Sequence, residues 1–311
     1  MYWENDMHYN LLILAMSCNE AFFTESRFVT HDTWAKDVID GIYEGIGFYS
    51  YTSSETGEEY VENNTIYLNC SDEINGTYYK TIRCFEFLRE NNITFDYVLR
   101  TNTSVYFNIP LTVQMINKNI LFNFDLYSHS RGEISINMDD NSFRINEFHG
   151  SFYIATSKFI YILVDNYDTY NERNERVIGI CSQVQFGVVG YDDITMNAIR
   201  FLLKYDGVAN FTTVFDDTHM PRYKCVPKSK MTLKHEFNID SLEYLSEQNK
   251  CIIGMTNTES PDVINYIPFI QYRLLTSLNN RKSTKYRYIE LEHAYDLHES
   301  CKYVHNHTPF I

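Results

Sequence analysis

Basic residues are in short supply along this 311-residue chain: 26 Lys and Arg stand against 41 Asp and Glu, a net charge of -15. Binding a phosphate backbone takes clustered Lys and Arg, so nucleic acid is not an expected partner. Long apolar runs are missing too. The longest near the start is "LLILAM" (Leu11 to Met16), far short of the roughly 20 residues of a membrane span. No positively charged segment precedes it, so neither a signal peptide nor an anchor is expected. No C-x-x-C pair occurs. The seven cysteines (Cys18, Cys70, Cys84, Cys181, Cys225, Cys251, Cys301) are odd in number and scattered singly, which fits a reducing compartment and predicts a cytoplasmic protein. Proline is scarce at 6, whereas Tyr (26) and Phe (21) abound. That bias, with frequent Asn, points to an AT-rich genome, of a bacterium or a large DNA virus. The N-x-[ST] triplets at Asn63, Asn75 and Asn92 then reflect composition rather than glycan sites.

The 44% hydrophobic content supports a real core. "YNLLILAMSCNEA" reads as a first central strand with a polar turn behind it, and "ESRFVTHDTWAKDVI" has helical spacing. Strands follow at "GIGFYSYTSS" and "TIYLNC". In "TYYKTIRCFEFLRENN", Ile82, Phe85 and Leu88 fall at helical spacing, with Asn91 and Asn92 as a stop. The β-formers of "FDYVLR" come next. The order β-α-β-β-α-β predicts an α/β fold with a mixed, mostly parallel central sheet flanked by helices. Farther on, "LTVQMINKNILFNF" reads as helix then strand, "SFYIATSKFIYILVDNY" as strand then helix, and "DDITMNAIRFLLKYDG" as a helix with Gly207 at its end. From about Lys224 the pattern weakens, with helical pieces at "NIDSLEYLSEQNKC" and "NYIPFIQYRLLTSLNNRK". No repeat or Gly/Ser linker divides the chain. One catalytic-type domain over 1–225, with a C-terminal extension over 226–311 packed on it, is expected.

Five segments, in order between Leu11 and Ile199, resemble the inverting β-1,3-glycosyltransferases of the Fringe and β-1,3-galactosyltransferase type. "RFVTHDTW", after an apolar strand and Ser17, is similar to that family's R-x-A-I-R-x-T-W, with Arg27 kept and His31 at the second arginine. "YYKTIRCFEFL" resembles the helix Y-x-N-L-T-x-K-T, with Lys80 and Thr81 matching. "YVLRTNTSVYFN" aligns with F-V-x-K-T-D-D-D-V-F-V-N, "HGSFYIATSKFI" with G-x-G-Y-V-L-S through Gly150, Tyr153 and Thr156, and "YDDITMNAI" with E-D-V-x-x-G or D-D-x-T-x-G through Asp192, Asp193 and Thr195. The resemblance implies a GT-A type nucleotide-sugar fold. It also implies a transferase moving a sugar, from UDP in the first instance, onto a glycan or glycolipid acceptor. Two departures stand out. Asn102, Thr103 and Ser104 replace the aspartates that hold a divalent cation in the family, no D-x-D tripeptide occurs elsewhere, and Asn197 replaces the closing glycine.

Inverting transfer needs a base for the acceptor hydroxyl and something to stabilise the leaving diphosphate. The resemblance makes Asp193 the base and Asp192 its positioning partner; the plain alternative is that "YDD" caps a helix. For the diphosphate three answers stand open. Neutral oxygens of Asn102 and Ser104, with His219 of "FDDTHMPRY", can hold Mn²⁺ or Mg²⁺ while substrate phosphates supply the negative ligands. Arg100, Lys80 and Arg27 can meet the phosphates directly, making metal unnecessary. Or the site no longer turns over. Ser17, Thr101 and Gly150 complete the nucleotide-sugar contacts that the resemblance implies. A rival reading is a non-catalytic carbohydrate- or nucleotide-binding protein on the same fold. A dinucleotide-binding sheet is disfavoured, since no G-x-G-x-x-G follows the first strand. His298, Cys301, His305 and His307 crowd the C-terminus at no standard zinc spacing and read as a polar tail.

Overall fold

A computed structural model describes residues 7–73, 76–103, 105–106, 109, 124–128, 130–138, 141–148, 152–170, 192–215 and 272–273. The chain divides into two compact units. One comprises Met1–Asn19, Glu44–Asn102 and Asn123–Asp216; the other comprises Glu20–Tyr43, Thr103–Phe122 and Asp217–Ile311. The expected boundary at 225/226, the segment "LTVQMINKNILFN", the first C-terminal helical piece and the His/Cys cluster lie outside the described residues; of the second piece only Tyr272 and Arg273 are described, and they form a short strand rather than the expected helix.

The first unit is built on an eight-stranded sheet. Its strands are β1 (Met7–Met16), β2 (Ile46–Ser53), β3 (Tyr60–Glu62), β4 (Thr65–Leu68), β5 (Ile93–Asn102), β7 (Leu126–Ser128), β10 (Phe152–Thr156) and β11 (Thr213–Phe215), in the order β11-β7-β10-β5-β1-β2-β4-β3. Strands β4, β2, β1 and β5 run parallel to one another, whereas β10 is antiparallel to both β5 and β7, and β3 to β4. The sheet is mixed and mostly parallel, as expected. Its middle strand, β1, buries Leu11 to Ala15 without a break, the pattern of a strand covered on both faces.

Helix α3 (Thr77–Glu90) buries Tyr78, Ile82, Phe85 and Leu88 in the unit's core with Leu12, Leu14 and Tyr51. It stops where expected: Asn91 Nδ2 donates to the Phe87 carbonyl at 2.8 Å, and Asn92 takes a left-handed φ of 56°. Helix α4 (Ser157–Asp165) follows β10 directly, with Thr156 Oγ1 accepting from the Phe159 N–H. Helix α5 (Asp192–Tyr205) closes on Gly207, φ 71°, a left-handed position that favours glycine. Antiparallel β8 (Ser130–Met138) and β9 (Asn141–Phe148) form a separate ribbon.

In the second unit, α1 (Ala21–Asp32) and α2 (Lys36–Ile39) replace the single helix that the spacing predicts. The break falls at Thr33, Trp34 and Ala35, all buried, where the Lys36 N–H turns back to the Thr33 carbonyl in a tighter loop. β6 (Val105–Tyr106) pairs with β12 (Tyr272–Arg273) in the same unit. Among the described residues no helix is long and apolar enough to cross a membrane.

Candidate functional site

Because β4, β2, β1 and β5 are parallel, their carboxyl ends and the turns behind them emerge at one edge of the sheet, the edge at which α/β folds bind ligands. One carboxylate ties the turns behind β4 and β1 to the end of β2. Asp72, in the turn after β4, accepts the Asn19 N–H at 2.7 Å and the Ser53 N–H at 3.2 Å, and it is ion-paired with the Lys80 ammonium of α3. Lys80 is 1% exposed and also donates to the Ser17 carbonyl at 3.1 Å. Asn19 grips the end of β2 in turn. Its Nδ2 donates to the Ser53 carbonyl at 2.9 Å and hydroxyl at 3.1 Å, and its Oδ1 accepts from the Thr52 hydroxyl at 3.2 Å. Burial alone would raise the Asp72 carboxyl, but the Lys80 charge and the bonds from Lys80, Ser53 and Asn19 hold it below the usual carboxylate range.

Arg100, near the end of β5, is wholly buried. Its Nε donates to the Tyr51 hydroxyl at 3.3 Å, and its Nη2 reaches the Met16 sulfur at 3.2 Å. The Tyr51 hydroxyl meets Thr81 Oγ1 at 3.0 Å, which donates to the Thr77 carbonyl at 3.0 Å. Arg100 is thus joined by a hydroxyl chain to the first turn of α3. The next residue, Thr101, is buried with its hydroxyl 3.4 Å from the Asn102 carbonyl, and Asn102 is partly buried at the strand end.

Ser17, Lys80, Arg100, Thr101 and Asn102 therefore fall on three neighbouring elements of the first unit. Asp192 and Asp193 open α5, at the helix end that favours negative charge. Farther along α5, Thr195 and Asn197 are buried, and Asn197 Oδ1 accepts from Arg200 at 3.3 Å. Arg200 also donates to Thr213 Oγ1 at 2.9 Å, and burial pushes it down to about 10. Arg27 lies on α1 of the second unit, 5% exposed, its guanidinium carbon 5.8 Å from the Phe28 ring centroid. Ser104, Gly150 and His219 lie outside the described residues.

Asp72, Asn19 and Tyr51 escape the sequence reading. Asp72 and Lys80 are separated by a loop and a helix start, so no short-range spacing joins them, and Tyr51 looks like one more strand aromatic. Among the described residues no three His, Cys, Asp or Glu side chains gather as a metal site. The donors at the end of β5 are neutral oxygens, which suit a hard cation whose charge is balanced by ligand phosphates.

No family model matches the chain, and no curated protein matches it. Among solved structures it is similar to a glycosyltransferase involved in the glycosylation of the major capsid of PBCV-1. That likeness has 12% identity and a TM-score of 0.44, over 92% of this chain and 98% of that one. It is also similar to 4-diphosphocytidyl-2C-methyl-D-erythritol synthase from Anaerococcus prevotii DSM 20548, at 13% identity and a TM-score of 0.29, over 52% of this chain and 76% of that one.

Proposed function

We propose that this chain is a GT-A type glycosyltransferase that moves a sugar from a nucleotide sugar, a UDP-sugar, to a glycan or glycolipid acceptor with inversion. The supporting observation is the carboxyl edge itself: the carboxyl ends of β1, β2, β4 and β5 lie along it, and Ser17, Lys80, Arg100 and Asn102 fall on those strand ends or beside them. In this reading Asp193 takes the acceptor hydroxyl proton. The acceptor oxygen bonds to the anomeric carbon as the bond to the diphosphate breaks on the opposite face, which inverts the centre. Asp192 positions Asp193 or the acceptor. The departing diphosphate needs positive charge or hydrogen-bond donors. Arg100 sits below the edge, and the resemblance adds Arg27. Asn102 with Ser104 and His219 would hold a divalent cation, which would supply charge to the phosphates; Thr101 and Gly150 belong to the nucleotide contacts.

The test is Asp193→Asn. Transfer should fall about 10²- to 10⁴-fold, the usual weight of a positioned base, while the unfolding midpoint stays put. Undiminished turnover would remove Asp193 from the role. A second reading, a non-catalytic binding protein on the same fold, is favoured by the neutral Asn102-Thr103-Ser104 turn. That protein would bind a carbohydrate or a nucleotide, and the reading requires that the unaltered chain release no sugar from any UDP-sugar.

A further inference from the structure

Asp72 has an arrangement that stability alone does not call for. A buried charge pair is a costly way to fasten two elements, and apolar residues of equal volume serve as well or better. Yet here a 1% exposed ammonium and a carboxylate that is 23% exposed meet at the ligand edge. The carboxylate's three donors come from three elements: Lys80 of α3, the Asn19 N–H after β1 and the Ser53 N–H at the end of β2. The Ser17–Asn19 turn is fixed at both ends. The Ser17 N–H donates to the Tyr51 carbonyl at 2.9 Å, its carbonyl accepts from Lys80, and Asn19 binds Asp72 through its backbone and β2 through its side chain.

We infer that Asp72 is a positioning residue: through Lys80 and the two N–H groups it sets the Ser17–Asn19 turn in the conformation that receives the nucleoside diphosphate of the donor. This rests on the function proposed above. Lys80 then acts on the ligand through the turn, its charge neutralised by Asp72, rather than by touching phosphate. The two roles of Lys80 differ in sign. If Lys80 met phosphate directly, removing the Asp72 charge would leave a stronger cation and tighten UDP. If Asp72 holds the turn, the same change loosens UDP.

The experiment is titration of UDP into the full-length chain, its Asp72→Asn variant and its Asn19→Ala variant, with amide hydrogen exchange at Asn19 and Ser53. Asn19→Ala keeps both charges and removes only the side-chain grip on β2, so it serves if Asp72→Asn fails to fold. Positioning predicts about tenfold weaker UDP binding in each variant, with faster exchange of the Asn19 N–H in Asp72→Asn. Tighter binding in Asp72→Asn, or affinities within twofold of the unaltered chain in the variants that fold, overturns the inference. Failure of the unaltered chain to bind UDP or any other nucleotide removes the functional reading, and this inference with it.

Discussion

His31 shows how one side chain ties stability to pH. It sits on α1 one turn past Arg27, and burial first, then the Arg27 charge, pushes its pKa down to about 4, with Asp32 opposing. In the folded chain the ring is neutral, whereas an unfolded chain protonates it near 6.5. Between those values the unfolded state binds more protons, so stability rises with pH there. The His31 contribution is complete above 6.5 and is lost as pH falls through about 4. Urea midpoints across that range should fall more steeply for the unaltered chain than for His31→Asn; parallel slopes would contradict the burial. Lys80→Met probes a second buried charge. It leaves Asp72 with two N–H donors and some exposure, and should cost about 3 kcal/mol, the lower end for a broken buried pair. Denaturant titration reads it directly. At this scale the sequence is legible in part. Lys80 and Arg100 stand out by their places in the two motif-like segments, but their partners do not, because Asp72 and Tyr51 reach them only once the strands are paired.

Among the elements, the joint between β10 and α4 rests on Thr156. Thr156→Ala should cost about 1 kcal/mol by removing the hydroxyl that accepts from the Phe159 N–H. Gly47 sits inside β2 because a Cβ there would meet the Tyr9 ring at 2.5 Å. Gly47→Ala should therefore lower stability by about 1–3 kcal/mol, and a neutral result would dispute the β1–β2 packing. Strand β10, helices α3 and α5 and their stops at Asn91 and Gly207 were readable, since each has strong periodicity and a residue suited to its end. Strand β3 was not. It has three residues, and its turn into β4 carries Asn63 and Asn64 at φ 48° and 56°, a hairpin signal without the usual glycine. The helix break at Trp34 was hidden too, because tertiary burial decides it against continuous helical spacing.

For the molecule as a whole, the alternation of strands and helices foretold an α/β sheet, and with a charge of -15 any anionic ligand would have to be drawn in by local donors rather than by the overall field. The antiparallel insertion of β10 beside β5 could not be read from strand order along the chain, because pairing direction there follows from how the chain returns to the sheet. Of the candidate site residues, the sequence singles out Lys80 and Arg100, which the structure places beside β1 and in β5. The neutral turn at Asn102 and the Asp72 clamp give the site a character that the motif series alone does not. The most direct measurement is calorimetric titration of UDP and a panel of UDP-sugars, with and without Mn²⁺, followed by assay of sugar release from whatever binds. A UDP-sugar should bind and slowly lose its sugar, with Mn²⁺ required if Asn102 serves a cation and dispensable if the basic residues suffice. Binding of no nucleotide under either condition would contradict the proposed function.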